Sequence, residues 1–396
     1  MKFAIIIPDG APGEPHPELD GRTPLQAARL PALDALAASG RLGATFTVGE
    51  RQFPGEAAAH LAVLGYAPER HPAGEGALTA HARGIRFGPQ DLVFCCDLVT
   101  VIDGYMRDFT AGSISAAEVT PLIDALNDSF GDEGFRFYDC GGYRNVCVWE
   151  GAGPLPELRT TPSEQILNQP TKRHMPPGSD SRPLYNLMLR AEALLSEHDV
   201  NLVRQDLGEN VASAIWLWGS QPLGTLPSFE QRYGVRGGLV TGSDIMRGIG
   251  SLIGWEVLEV PGATGRPNTD LSAKGRAAVA AVDAVDVVCV HVHYLFTLSA
   301  LGAVTEKVRV LEAIDAQIAA PLLDRLREEP EWRMLVIPAR TAPTARPAQA
   351  PGRTMFVLAG SGIASNRGEA FDEENAEVGE MQPDRAHHLM EYFLRR

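Results

Sequence analysis

The sequence has few cysteines, fewer basic than acidic residues and no long apolar run. Its first apolar run, residues 3–7, ends at Pro8 and is far shorter than the roughly 20 residues of a membrane-spanning helix. We therefore expect a cytoplasmic protein without a membrane partner. The five cysteines are odd in number and lie mostly in apolar stretches, which indicates reduced core thiols rather than a disulfide framework.

The charge balance argues against a nucleic-acid partner. The chain has 35 Lys and Arg against 50 Asp and Glu, a net charge of -15, and no basic run that would attract a phosphate backbone. Apolar residues make up 44% and charged residues 21%, which is ordinary for a folded protein. At 396 residues the chain is too long for one ordinary core, so we expect two domains or one domain with an insertion.

Short apolar runs alternate with helical patterns in the last half of the chain. Strands are predicted at residues 3–7, 238–240, 255–260, 285–292, 334–337 and 355–358, and helices at 244–253, 271–284 and 305–328. This alternation predicts an α/β fold with a doubly wound, mostly parallel sheet. The first strand delivers Asp9 to its carboxyl end, which is the edge where ligands bind in such sheets.

The middle of the chain has a different character. It is richer in turn residues and includes the Pro- and Ser-containing stretch 175–181. A smaller α+β domain at 76–209, inserted between two halves of one core at 1–75 and 210–396, explains this change best. The Pro-rich segment 342–352 is expected to be a mobile loop.

Seven strings of the sequence carry a family resemblance. They lie at residues 7–10, 21–28, 54–55, 60–66, 106–112, 214–219 and 260–265. In this order and spacing they resemble the archaeal-type cofactor-independent phosphoglycerate mutases of the alkaline phosphatase superfamily, including a bacterial branch similar to homoserine kinases. The resemblance implies an alkaline-phosphatase-like core, discontinuous in sequence, with an inserted substrate domain.

The resemblance also implies a catalytic centre in which Asp and His residues hold two divalent ions and a serine attacks the phosphoryl group. Asp9 matches the first metal ligand, but Glu56 stands at the position of the serine. The other ligand positions hold Phe296, Ala300, Ala339, Arg340 and, at the last histidine, Gln349. One carboxylate cannot hold two ions, so we expect no cofactor, and an active form would need Mg or Mn.

Several positions that the resemblance assigns to substrate binding have also changed. Ser113 and Asn145 replace histidines, and Glu75 stands where an arginine would face an anionic substrate. The candidate substrate-binding residues that remain are Asp108, Arg144 and Lys274.

Some candidates have two interpretations. Arg144 could clamp a carboxylate or phosphate, or it could belong to an ion pair in an apolar strand. Lys274 lies on a predicted helix, where a solvated lysine is the alternative. His291 and His293 flank one residue of a strand and point to the same face, so they could chelate one ion or serve as core histidines.

Three functions are compatible with these residues. The first is a phosphoglycerate mutase-like pseudoenzyme that has lost its metals and nucleophile and has a binding or regulatory role, with an unknown protein partner. The second is an active mutase that interconverts 3-phosphoglycerate and 2-phosphoglycerate, or a related phosphotransferase, with a site rebuilt around Asp9 and Glu56. The third is a small-molecule binding module without chemistry, for which a small phosphorylated acid is a candidate ligand. The coincident loss of ligands and nucleophile favours the first.

Overall fold

The computed structural model describes residues 1–49, 55–155, 158–342, 353–366 and 368–395. Its strands are β1 (Lys2–Pro8), β2 (Arg41–Phe46), β3 (Leu92–Ile102), β4 (Tyr105–Asp108), β5 (Phe135–Tyr138), β6 (Arg144–Trp149), β7 (Ala214–Trp218), β8 (Gly237–Val240), β9 (Glu256–Val257), β10 (Val287–Val292), β11 (Trp332–Val336) and β12 (Arg353–Gly360). Its α-helices are α1 (Pro24–Ala27), α2 (Pro31–Ser39), α3 (Glu56–Val63), α4 (Glu75–Ala82), α5 (Ala116–Phe130), α6 (Arg182–Ser196), α7 (Asp199–Asp206), α8 (Phe229–Tyr233), α9 (Asp244–Leu252), α10 (Leu271–Ala281), α11 (Tyr294–Ala300), α12 (Val304–Ile314), α13 (Ala320–Arg327), α14 (Glu373–Val378) and α15 (Leu389–Leu394). Most of the predicted mobile loop, 342–352, lies outside the described residues.

The larger sheet has the strand order β2-β12-β11-β1-β10-β8-β9. Its pairs from β11 to β9 are parallel, whereas β12 and β2 add antiparallel pairs. From Phe3 onward β1 is buried on both faces, as expected for a central parallel strand that is covered by helices. The predicted α/β fold with a mostly parallel sheet is confirmed.

The position of β1 decides which residues meet at the ligand-binding edge. It pairs with β10 on one side and with β11 on the other, so the carboxyl ends of these three strands lie side by side. Ile7 lies opposite His291 in β10. The residues that follow these strands therefore converge on one place, although they are far apart in the sequence.

The sequence patterns did not predict β2. Its centre contains Gly43, where a Cβ atom would lie 1.9 Å from the carbonyl oxygen of Met381. The close approach of that backbone requires glycine, and glycine weakens the local strand signal. Likewise, the strand predicted at 255–260 is reduced to the short β9.

The chain folds into two compact units, one made of residues 1–71 and 225–396 and the other of residues 72–224. The second unit has a sheet of order β4-β3-β6-β5, and β7 also pairs with β3. This unit extends beyond the predicted insertion of 76–209, because β7 forms an antiparallel ladder along β3 in which Cys95 lies opposite Trp218. A local sequence pattern does not show which sheet such a strand joins.

Two compositional expectations can be compared with the described residues. No helix among them is both long and apolar enough to cross a bilayer. All five cysteines are described, and each is buried with a free thiol, as predicted.

Candidate functional site

The candidate site lies at the carboxyl edge of the larger sheet. Asp9 follows β1, His293 follows β10 and Arg340 follows β11, while Glu56 is the first residue of α3. Gly10 has a φ of 84°, and a Cβ atom there would lie 2.6 Å from the Cα atom of Phe296. Only glycine combines this left-handed backbone with such close packing, so Gly10 lets the Asp9 loop pack against α11.

Arg340 forms an ion pair with Asp9. Its Nε donates to the two carboxylate oxygens at 3.3 and 3.1 Å, and its Nη2 donates to Oδ2 at 2.5 Å. The guanidinium also stacks on the ring of Phe296, with Cζ 3.8 Å from the centroid. Only 3% of the Arg340 side chain and none of the Asp9 side chain is exposed, so this is a buried fork between two full charges.

The pair controls the ionisation of Asp9. Burial alone would raise the pKa of this carboxyl, but the charge of Arg340 outweighs it, with help from His60 and from hydrogen bonds, and the pKa is held well below its usual value. Asp9 is therefore an anion at neutral pH with a fixed counter-ion beside it.

Glu56 is oriented by three neighbours. Its Oε1 accepts a hydrogen bond from the Ser243 hydroxyl at 3.0 Å and lies 3.5 Å from Nδ1 of His293. Its Oε2 lies 3.7 Å from Nη2 of Arg340. A carboxylate at the first turn of α3 is also favoured by the helix dipole. The structure thus brings together two of the predicted site residues, Asp9 and Glu56, around one arginine.

A closed ring of hydrogen bonds lies beside these charges. The His60 Nδ1 atom bonds the Glu56 carbonyl at 2.6 Å, and its Nε2 meets Nε2 of His291 at 3.0 Å. The His291 Nδ1 atom then meets the Thr241 hydroxyl at 2.9 Å. That hydroxyl accepts from the Ser243 amide at 3.1 Å, and the Ser243 hydroxyl returns to Glu56.

The Glu56 carbonyl and the Ser243 amide determine the tautomers of His60 and His291. Because a carbonyl can only accept, His60 carries its proton on Nδ1 and presents a lone pair at Nε2. His291 must then donate from Nε2, and its Nδ1 accepts from Thr241. Burial is the main cause that lowers the pKa of His60 and lowers that of His291 well below its usual value, which agrees with two neutral rings.

This arrangement predicts a loss of stability in acid. The unfolded histidines gain protons as the pH falls through about 6.5, whereas the folded ones gain them only at lower pH. Above this pH each buried histidine should leave the free energy of unfolding unchanged. Below it, each should lower the free energy of unfolding by up to roughly 1.4 kcal/mol per pH unit. We expect His291→Gln to flatten the slope of the urea midpoint between pH 7.5 and 5. The exposed His388→Gln is the control, and an unchanged slope in His291→Gln would contradict the assignment.

The side chains present do not fit a pair of divalent ions. Phe296 and Ala300 occupy two of the positions that the family resemblance assigns to ligands, and they offer no donor atom. Asp9, His60 and His291 have donor atoms within 4.8 Å of one another. However, the two histidines bond each other, and the carboxylate is bound by Arg340. A cation therefore already lies where Asp9 would meet a metal.

Lys274 is also part of this region, and its interpretation as a solvated lysine is wrong. Its side chain is buried, and Nζ donates to the carbonyls of Thr264 and His291 at 3.3 Å each. Burial lowers its pKa to about 8. Lys274 thereby ties the loop at Thr264 to the end of β10.

Sequence patterns missed a second buried lysine, Lys307. Its Nζ donates to the carbonyls of Pro12 and Ala342 at 3.3 Å each and to the Ser299 hydroxyl at 2.8 Å. Pro12 follows Asp9 and Ala342 follows Arg340 closely in sequence, so Lys307 holds together the two loops that carry the ion pair. A lysine in an amphipathic helix gives no sequence signal of such a role.

Asp108 and Arg144 belong to separate networks of the second unit. The Asp108 carboxylate accepts from the amides of Thr110 and Gly112 and from Asn210, at 2.7, 2.7 and 2.8 Å. Burial opposes its ionisation, but these bonds outweigh burial and lower its pKa. This is a loop-stabilising arrangement, and the proposed substrate role of Asp108 stays a prediction.

Arg144 is held by two carboxylates. Its Nε lies 3.0 Å from Oδ1 of Asp97, and its Nη2 lies 3.4 Å from Oε2 of Glu164. The buried Asp97 also accepts from Ser163 at 2.6 Å and from Trp218 at 2.8 Å. These contacts favour the ion-pair interpretation of Arg144 over that of a substrate clamp.

Comparison with known proteins agrees with the resemblance of the sequence. A family model described as 2,3-bisphosphoglycerate-independent phosphoglycerate mutase matches residues 37–201. A protein of this name from Methanothrix thermoacetophila is 36% identical over 380 residues, with 96% of each chain covered. A second, named 2,3-bisphosphoglycerate-independent phosphoglycerate mutase 2, from Methanothermobacter thermautotrophicus is 38% identical over 395 residues and covers 100% of this chain and 97% of its own.

Solved structures share the fold. A protein from Pyrococcus horikoshii superimposes with a TM-score of 0.76 at 23% identity, covering 99% of this chain and 97% of its own. A cofactor-independent phosphoglycerate mutase from Thermoplasma acidophilum gives a TM-score of 0.58 at 23% identity, covering 100% and 99%. The sequence identities of 36% and 38% over nearly the full length show that the chain belongs to the 2,3-bisphosphoglycerate-independent phosphoglycerate mutase family.

Proposed function

We propose that this phosphoglycerate mutase-like protein does not perform metal-dependent phosphoryl transfer and instead acts by binding a small phosphorylated acid or a protein partner. The observation that carries the proposal is the buried fork of Arg340 on Asp9. It gives the carboxylate that matches the first metal ligand a permanent organic counter-ion.

Phosphoryl transfer requires a nucleophile and positive charge that contacts the phosphoryl oxygens. A Glu56 carboxylate could in principle attack phosphorus, as carboxylates do in some enzymes. Here, however, it accepts a hydrogen bond from Ser243 and lies near an arginine that is already committed to Asp9. The cation is therefore not available to a substrate without breaking its bonds to Asp9, and one oxygen of Glu56 is engaged by Ser243.

A specific observation supports an alternative, an active enzyme with one metal ion. The donor atoms of Asp9, His60 and His291 lie within 4.8 Å of one another, and two histidines with one carboxylate form a common set of zinc ligands. To use it, His291 would have to move its proton from Nε2 to Nδ1, and Arg340 would have to release Asp9. These two requirements make the alternative the weaker proposal.

An assay for the interconversion of 3-phosphoglycerate and 2-phosphoglycerate separates the two proposals. We expect the full chain, coupled to enolase in the presence of Mn²⁺, Mg²⁺ or Zn²⁺, to show no conversion above that of Glu56→Ala, because the nucleophile and the metals are replaced. Turnover that requires added metal and is lost in Glu56→Ala would contradict the main proposal.

Binding is measured on the same preparations. A thermal shift with 3-phosphoglycerate in the absence of turnover would support the small-acid ligand. If no phosphorylated acid raises the melting temperature, the small-acid ligand is excluded and the proposed ligand is a protein partner.

A further inference from the structure

The site of Asp9 and Arg340 contains two buried carboxylates and one fixed cation. The guanidinium bonds Asp9 directly and lies 3.7 Å from Glu56. His293 adds an imidazole whose Nδ1 lies 3.7 Å from Asp9 and 3.5 Å from Glu56. Among the described residues this nitrogen is buried without a hydrogen-bond partner. The cluster thus has more donor atoms suited to a cation than its one arginine satisfies.

Arg340 differs from an exchangeable ion in two ways. A guanidinium does not lose its proton in proteins, so its positive charge is permanent. It is also held in place, because the ring of Phe296 packs on its face and the Asp9 carboxylate accepts hydrogen bonds from its edge. The guanidinium therefore keeps its charge when a metal ion approaches, and to leave Asp9 it would have to give up its contacts with both neighbours.

The neighbouring donors form a set that a single ion could use. In a tetrahedral site with bonds of about 2.1 Å, two ligand atoms are roughly 3.4 Å apart. The 3.0 Å between the Nε2 atoms of His60 and His291 is close to that separation, and the donor atoms of Asp9, His60 and His291 all lie within 4.8 Å of one another. Two neutral imidazoles and a carboxylate favour zinc or a similar transition ion over magnesium.

We propose that Arg340 is a built-in cation that replaces a metal ion at Asp9, and that this one side chain keeps a latent site of Asp9, His60 and His291 closed to divalent ions. The pair that excludes the ion consists of residues 331 positions apart, so it is created by the fold. The inference concerns ion binding alone, so turnover without a metal ion would leave it intact.

The test is the uptake of Zn²⁺ by the full chain, measured by equilibrium dialysis and elemental analysis. We expect Arg340→Ala to bind about one ion per chain, because removal of the guanidinium frees the carboxylate of a two-histidine, one-carboxylate set. Its affinity should exceed that of the unmodified chain at least tenfold. The gain should be lost in Arg340→Ala combined with Asp9→Asn. The charge-preserving Arg340→Lys is the matched control and should bind no more Zn²⁺ than the unmodified chain.

Two outcomes would overturn the proposal. One is binding of Zn²⁺ by the unmodified chain that disappears with Asp9→Asn, since Arg340 would then not exclude the ion. The other is a folded Arg340→Ala that binds no more Zn²⁺ than the unmodified chain. If circular dichroism shows that Arg340→Ala is unfolded, Arg340→Gln takes its place, because the amide is neutral and can still donate to Asp9. Mutase turnover without added metal would contradict the proposed function but would leave this inference intact.

Discussion

Replacing Arg340 with methionine is expected to destabilise the larger unit by about 3–5 kcal/mol at pH 7, since it leaves a buried carboxylate without its counter-ion. Asp9 is completely buried, and Glu56 beside it is nearly so. Methionine preserves most of the volume next to Phe296, so the loss reports charge rather than packing. The measurement is urea unfolding, together with hydrogen exchange of the amides in β1 and β10.

A double-mutant cycle isolates the charge interaction. Asp9→Asn combined with Arg340→Met should recover much of the loss, because the pair is removed rather than broken. The loss in Arg340→Met should also shrink in acid, where Asp9 can take a proton, whereas the intact pair contributes at pH values above the usual Asp pKa and is lost only as the pH falls through the lowered one. Additive effects of the two substitutions would show that the pair does not carry this stability.

Replacing Asp97 with alanine is expected to be similarly severe for the second unit, at about 3–5 kcal/mol. The change removes one of the two carboxylates that hold Arg144 and takes away the acceptor of the Ser163 and Trp218 donors. Unsatisfied buried donors add to the cost of breaking the ion pair of Asp97 with Arg144. Urea unfolding followed by tryptophan fluorescence measures the effect, because Trp218 donates directly to this carboxylate.

The matched control is an exposed ion pair of the same unit. Glu133 and Arg190 form a two-bonded pair at 2.8 Å, but both side chains are about half exposed, so Glu133→Ala should change the unfolding midpoint little. Equal effects of Asp97→Ala and Glu133→Ala would mean that burial of the Arg144 network contributes nothing beyond a surface pair.

Local patterns were sufficient for the parts of the fold that depend on local physics. The apolar run of β1 predicts a buried strand, and the residue after it, Asp9, is necessarily at the carboxyl edge of the sheet. The absence of metal-binding side chains at Phe296 and Ala300 is likewise a property of the residue types alone. These predictions needed no knowledge of the tertiary contacts.

Other features could not be read from the sequence, because they depend on pairing between distant segments. Lys274 looked solvated in its helical pattern, yet α10 packs it beneath the end of β10, where its ammonium meets two carbonyls. The strand β7 looked like core sequence, yet it pairs with β3 in the second unit. In both cases the local residues favour a helix or a strand, but the segment that packs against it lies elsewhere in the chain.

The candidate site shows the same division most clearly. The residue types alone show that Glu56 stands where the family resemblance places a serine and that Arg340 stands where it places a ligand. The role of this arginine as a counter-charge to Asp9 depends on the fold, because β11 lies next to β1 and their carboxyl ends share one buried edge. In that setting a carboxylate must have a partner, and the fold provides a guanidinium.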